Sequence, residues 1–380
     1  MKNANIMGID INNPIIISPG PWSRGKMLKD ALECNAGAII TESVVSESYP
    51  DTRPRYAYNQ ESKGLQNIRL YSALELEDWI YCLKEANNAK RYMSDSKLIV
   101  SIMGSTPSEL RYIARKVEQT GIDGIEIGLS CPMGEGPEII AGDTKRVYEY
   151  TKEVVNAVSI PVSVKLGAFT NNLAATVHAI EKAGASGISA IDTLRAILNI
   201  NTETGKPSLP TYGGYSGAPI RPVGLATVAG IAQSTNLPVI GMGGIENYKN
   251  VLEYIMLGSK ACGIGTEILL RGYSVVTNTI KDLNSWFKSH KINDIEQIRG
   301  ISLKELRSFE EIKLEIKQAK LSDSCTDSNC KKCLMCCLKN AISMDSGCID
   351  IDSSICDGCG LCINICPENN TFVHLSSPFL

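Results

Sequence analysis

Through the first three quarters of the chain, short β-branched runs alternate with longer stretches in which apolar residues recur at three- and four-residue intervals. Continuous or period-two apolar runs of about four to eight residues predict strands, and the longer periodicity predicts amphipathic helices. Eight strands follow: PIIIS (14–18), AGAIIT (36–41), KLIVSIM (97–103), IDGIEIG (122–128), IPVSVK (160–165), ASGISAI (185–191), LPVIGM (237–242) and KACGIG (260–265). Each precedes a helical stretch, such as 73–89 after the second and 107–119 after the third. This alternation is the pattern of a parallel sheet wrapped by helices. Eight such units over about 260 residues match a (β/α)8 TIM barrel. An open doubly wound sheet usually has fewer strands and a GxGxxG turn after the first, and the sequence contains no such turn.

The connection after the second strand, 43–72, is far longer than usual, and long loops at that end of a barrel commonly build or cover an active site. Residues 301–320 are charged and helical in pattern. The expected organisation is a barrel over 1–300, a helical connector over 301–320, and an α+β, ferredoxin-like tail over 321–380.

A length of 380 residues suits one large domain and one small one. A formal net charge of -3 supplies no basic field for nucleic acid or anionic lipid, so neither is an expected partner. No stretch reaches the roughly 20 apolar residues of a membrane helix. The opening MKNANIMGIDINNPIII is too short in its apolar run for a secretion signal and meets a turn at Ser18-Pro19-Gly20. A cytoplasmic protein is expected. Of the 14 cysteines, Cys34, Cys82, Cys131 and Cys262 are scattered and the rest crowd between Cys325 and Cys366, which reads as metal ligation in a reducing compartment.

The sharpest signal is CDGCGLCINICP, in which Cys356, Cys359, Cys362 and Cys366 have the C-x2-C-x2-C-x3-C-P spacing of bacterial ferredoxins. Three of those thiolates wrap one 4Fe-4S cluster and the fourth reaches its neighbour. Upstream, CTDSNCKKCLMCCLKNAI offers five cysteines for four positions. Alignment on Ala341-Ile342 selects Cys325, Cys330, Cys333 and Cys337. In the competing frame Cys330, Cys333 and Cys336 form the triplet, and the fourth position falls on Asn340. With the first frame preferred, cross-ligation gives Cys325, Cys330, Cys333 and Cys366 to one cluster and Cys337, Cys356, Cys359 and Cys362 to the other. Cys336 and Cys348 are then spare. Zinc is the alternative for paired CxxC units, and the crowding of cysteines favours iron.

In a barrel of this kind, chemistry belongs at the C-terminal strand ends. Gly243-Gly244 after the seventh strand, Gly265-Thr266 after the eighth, and Ser216-Gly217 in GGYSGAPIRP form a candidate phosphate corner. Glycines serving only tight turns are the alternative, which three converging segments weaken. Lys165 ends the fifth strand, where a cation can stabilise the charge that appears at N1 of a reduced flavin. A lysine snorkelling from a strand end is the plain alternative. Cys131, in GLSCPMGEG, is a candidate acid/base on a rim loop, although a lone cysteine is more often a small hydrophobe.

NPIIISPG, AGAIITES, LQNIRLYS, LSCPMG, PVSVKLG, GGYSGAPIRPVGL, GMGGI and GIGTEIL, followed by a ferredoxin tail, resemble the dihydroorotate dehydrogenase superfamily. Within it, the chain is similar to the FMN and iron–sulfur portion of dihydropyrimidine dehydrogenases. The resemblance implies that Cys131 is the general acid/base. It implies an FMN held by Ser18, Glu42, Ser43, Asn67, Lys165 and Thr193 together with the phosphate corner, and a substrate read by Asn67, Arg69, Asp192 and Thr193. The departures fall at the substrate: the family's lysine in T-K-T is Glu42, the acid of L-N-I-E is Arg69, an asparagine becomes Gly128, and another becomes Asp192. Exchange of lysine for Glu42 and of glutamate for Arg69 inverts a potential ion pair, and Arg69 offers a fork for a substrate carboxylate.

The expected activity is that of an FMN and iron–sulfur oxidoreductase on a CH-CH or activated C=C bond of a small substrate. Dihydropyrimidine or dihydroorotate dehydrogenase proper is one alternative, and an electron-relay subunit without its own substrate is another. With no second nucleotide fingerprint, the electron partner is expected to be an FAD-containing, NAD(P)H-oxidising subunit or a ferredoxin. A homo-oligomer is the expected assembly.

Overall fold

The structure is a computed structural model, and it describes residues 4–129, 140–168, 170–312, 317–321, 330–345, 348–367 and 373–376. Cys131 and Cys325 lie outside the described residues. The chain divides into two compact units, Met1–Leu306 and Arg307–Leu380.

The first unit opens with a hairpin of β1 (Ala4–Ile6) and β2 (Ile9–Ile11). Then come β3 (Ile15–Ile17), β4 (Ala38–Ile40), β5 (Tyr56–Asn59), β6 (Gly64–Asn67), β7 (Lys97–Ile102), β8 (Gly124–Gly128), β9 (Val162–Leu166) and β10 (Gly187–Ala190). It ends with β11 (Leu194–Ala196), β12 (Gly213–Gly217), β13 (Val239–Met242) and β14 (Ala261–Ile264). Strands β3, β4, β7, β8, β9, β10, β13 and β14 close into a parallel barrel, β14 pairing back onto β3. These are the eight strands expected from the sequence, with helices such as Leu76–Met93 and Pro107–Glu118 outside them.

Period-two alternation explains why both faces of the barrel strands are filled. Ile15, Ile17, Ile39, Leu98, Val100, Ile125, Ile127 and Val164 belong to the core between strands and helices, whereas Ile16, Ile40, Ile99 and Ile240 belong to a second core inside the barrel. The interior is not uniformly apolar. The inward positions of β7 to β10 include Ser101, Glu126, Ser163 and Ser189, all buried. The hairpin supplies the barrel floor: Met7, at a left-handed φ of 54°, is 2% exposed. An ideal Cβ on Gly187 would come 2.9 Å from its side chain, so a barrel strand there requires glycine.

Two connections at the opposite end are themselves structured. β5 and β6 come from the long connection after β4, and β11 and β12 from the one after β10, in an antiparallel sheet ordered β11-β12-β6-β5.

In the second unit, β15 (Gln318–Leu321) pairs with β18 (Val373–Ser376), and β16 (Ile342–Asp345) with β17 (Cys348–Ile351). The stretch 301–320 is not the α-helical connector that its pattern predicts. Its described residues form 3-10 turns at Ile301–Glu305 and Phe309–Glu311, and residues 318–320 belong to β15, where the ladder with β18 overrides local helix preference. Among the described residues no helix is long and apolar enough to cross a membrane.

Candidate active site

The C-terminal ends of the barrel strands open into a cleft of about 1210 Å³, measured to its open mouth. Ser18 follows β3, Glu42 and Ser43 follow β4, Asn67 ends β6, Lys165 is on β9, and Asp192 and Thr193 follow β10; all line the cleft, as does Arg69. Ser216 and Gly217 at the end of β12, Gly243 and Gly244 after β13, and Gly265 and Thr266 after β14 form its far corner. Cleft residues with no distinguishing sequence signal are Trp22, Tyr56, Tyr71 and Met103.

The far corner has the chemistry of an anion cradle. Gly217, Gly243 and Gly244 have φ of 94°, 120° and 67°, a region L side chains rarely adopt. An ideal Cβ on Gly244 would lie 2.9 Å from both the Gly217 carbonyl oxygen and the Arg221 amide nitrogen, so only glycine lets the two loops meet. Thr266 Oγ1 donates to Ser216 Oγ at 2.9 Å. Ser18 Oγ is buried and has no hydrogen-bond partner among the described residues, a vacant valence that a phosphate or flavin oxygen would fill.

The opposite wall is charged. Arg69 Nη2 lies 2.8 Å from Glu42 Oε1, and its Nη1 lies 2.8 Å from Asp51 Oδ1. Arg24 stands 3.9 and 3.8 Å from the same carboxylates. The inverted Glu42–Arg69 pair therefore forms. The guanidinium fork is not free as expected, because two carboxylates of the chain pair with its charge, although neither Nη1 nor Nη2 makes a hydrogen bond of good geometry among the described residues. Burial pushes the Glu42 carboxyl above its usual range, with Arg69 and Arg24 opposing the shift. Lys165 Nζ lies 3.1 Å from Asp192 Oδ1.

Glu126, fully buried in the barrel, accepts a hydrogen bond from Ser189 Oγ. Burial raises its carboxyl above the usual range, and the nearby Lys165 charge opposes this. An acid inside the apolar run IDGIEIG is the sequence signal that could have singled it out. Asn67 is partly occupied: its Nδ2 donates to the Gly214 carbonyl at 3.3 Å, and its Oδ1 accepts from the Arg69 amide at 3.2 Å.

The family model for dihydroorotate dehydrogenase matches residues 1–287. The chain belongs to the dihydroorotate dehydrogenase family. It is 33% identical over 309 residues to the catalytic subunit of dihydroorotate dehydrogenase B (NAD(+)) of Pyrococcus abyssi, which covers 80% of this chain and 100% of that protein. It is 30% identical over 329 residues to the chloroplastic dihydropyrimidine dehydrogenase (NADP(+)) of Arabidopsis thaliana, 79% of this chain and 76% of that one. A dihydroorotate dehydrogenase of Eimeria tenella, solved with ferulenol, shares the fold with a TM-score of 0.70 at 16% identity, over 79% of this chain and 88% of that one. As a dihydroorotate dehydrogenase family member the chain is a flavin oxidoreductase. The family binds FMN, and the glycine cradle and the vacant Ser18 hydroxyl fit its phosphate and ring edge. At Gly128, where the sequence resemblance implies an asparagine, an ideal Cβ would lie 2.9 Å from Met103 Cγ.

The second unit contains a 4Fe-4S binding domain match at residues 349–370. Its short helices, Lys332–Cys336 and Leu361–Ile365, are followed by Cys337 and Cys366 respectively. Cys333 and Cys362 occupy the same helical position and are both buried. Cys330-Cys333-Cys337 thus repeats the spacing of Cys359-Cys362-Cys366, and Cys336 falls opposite Ile365. Cys336, Cys337, Cys356, Cys359 and Cys362 all line one cavity of about 360 Å³. Among the described residues no three Cys, His, Asp or Glu side chains are gathered closely enough for a single metal ion. The Cys356 and Cys337 sulfurs accept from the Ala319 and Ala341 amides, both at 3.3 Å.

Proposed function

We propose that the chain is an FMN and iron–sulfur oxidoreductase that adds or removes hydrogen across a CH-CH or activated C=C bond of a small, cyclic substrate. The observation that carries this reading is the convergence, in one cleft, of the phosphate cradle and the Lys165–Asp192 pair. Cys131 follows Gly128 by three positions in the sequence. When bound, FMN supplies hydride transfer at its N5. Ser18, Ser216, Gly217, Gly243, Gly244, Gly265 and Thr266 would hold the flavin through its phosphate and edge, with Ser43, Asn67 and Thr193 nearby. Lys165 places positive charge in the cleft, Cys131 handles the substrate proton, and Glu42, Arg69 and Asp192 set what the cleft accepts. Two 4Fe-4S clusters in the tail, on Cys337, Cys356, Cys359 and Cys362 and on Cys325, Cys330, Cys333 and Cys366, exchange electrons with an FAD-containing, NAD(P)H-oxidising subunit or a ferredoxin.

The names of the relatives favour a second reading, a dihydroorotate or dihydropyrimidine dehydrogenase proper. Against it stand Gly128, with Met103 in the space of an amide, and the acid at Asp192. Anaerobically reconstituted protein, driven by reduced viologen, should reduce a compound drawn from pyrimidines, other unsaturated heterocycles and enoates. Zinc in place of iron, or an absence of FMN, would overturn the proposal.

A further inference from the structure

We infer that the cleft selects an uncharged substrate with N-H or O-H donors and discriminates against carboxylates. This rests on the proposed function, in that FMN and substrate must share the cleft. Among the described residues that line it, Arg69 and Lys165 are the cations. Both are held by acids: the Arg69 side chain, 6% exposed, lies 2.8 Å from Glu42 and from Asp51, and Lys165 lies 3.1 Å from Asp192.

An incoming carboxylate would therefore meet cations already shared and would add a negative charge beside Glu42 and Asp192. In a partly desolvated site such like-charge contacts act strongly against binding. Glu42 also asks for a donor. The residue is 6% exposed, and its Oε2 has no hydrogen-bond partner among the described residues, the closest Arg24 nitrogen being 3.9 Å away; Arg69 Nη1 and Nη2, though paired in charge with Glu42 and Asp51, likewise make no hydrogen bond of good geometry there. A neutral ligand edge that places an N-H or O-H beside an uncharged acceptor satisfies both groups, whereas a carboxylate leaves Glu42 Oε2 without a donor and adds charge beside it. The phosphate cradle works through backbone amides and hydroxyls, so FMN binding does not need these cations.

The test is titration of the FMN-loaded holoprotein, followed by flavin absorbance, with ring ligands matched for shape and differing in charge: uracil against orotate, and nicotinamide against nicotinate. The neutral member of each pair should bind at least tenfold more tightly. Glu42→Gln and Asp51→Asn each free one arm of the Arg69 fork and should narrow that ratio, in protein whose FMN and iron contents match the unmodified chain. Equal or tighter binding of the carboxylates by the unmodified protein overturns the inference and leaves the flavin reading standing. Protein that holds FMN but whose flavin responds to none of the four ligands counts against both the inference and the shared cleft. Protein that holds no FMN overturns the proposed function itself.

Discussion

Lys165 Nζ and Asp192 Oδ1, 3.1 Å apart, join the ends of neighbouring strands β9 and β10 across the barrel mouth. Replacing Asp192 by Ala removes this acid from the lysine, which also faces the buried Glu126. Loss of a charge-assisted contact of this kind costs about 2 kcal/mol, so denaturant melts should show a lower midpoint with an unchanged slope. Asp192→Asn, which retains an acceptor, should lose less.

Cys131→Ala should keep FMN and iron while slowing turnover by about a hundredfold or more, the usual range for a positioned acid/base. Stopped-flow reduction of the flavin by substrate is the measurement. Unchanged rates would reduce Cys131 to a structural thiol.

Gly128→Asn drives a new side chain into Met103. Overpacking of this order costs about 1 to 3 kcal/mol, and Met103→Ala should recover part of it in the double variant. Thermal melts of the two single variants and the double variant give the coupling directly.

The buried Glu126 has its carboxyl raised above the unfolded value of 4.5. The folded chain therefore holds this proton more tightly than the unfolded chain. Stability from this group is greatest below the unfolded value and is lost as pH rises through the elevated folded value. Glu126→Gln should accordingly gain melting temperature relative to the unmodified chain as pH is raised from about 4 to 7. A constant difference across that range would show that the carboxyl titrates normally.

Iron analysis separates the two cysteine frames. Unmodified protein purified anaerobically should contain about eight iron per chain if two clusters are present. Cys337→Ser should lower that number, whereas Cys336→Ser should leave it unchanged. The opposite result would restore the frame in which Cys330, Cys333 and Cys336 form the triplet.

The barrel strands and the residues of the cleft were legible because both signals are local. A strand declares itself by period and flanks, and the end of a barrel strand marks a position at the rim. The partners of Arg69 were not legible: Glu42 is a departure from a motif, but Asp51 looks like any acid in a polar loop until folding brings it within 2.8 Å. The sheet of β5, β6, β11 and β12 was missed for a related reason, since its strands of three to five residues pair between connections far apart in sequence. The end of the stretch 301–320 shows the converse, with a helical pattern that from Gln318 yields to a β ladder closed by residues more than fifty positions away.

That rim sheet has a mechanical consequence. β12 ends in Ser216 and Gly217 of the phosphate cradle and is hydrogen-bonded to β6, in a register that sets Gly214 opposite Asn67, two residues before Arg69. A displacement of either strand is therefore felt at both ends of the cleft. Filling the cradle should stiffen the wall that reads the substrate, so that the loss of one molecule loosens the grip on the other.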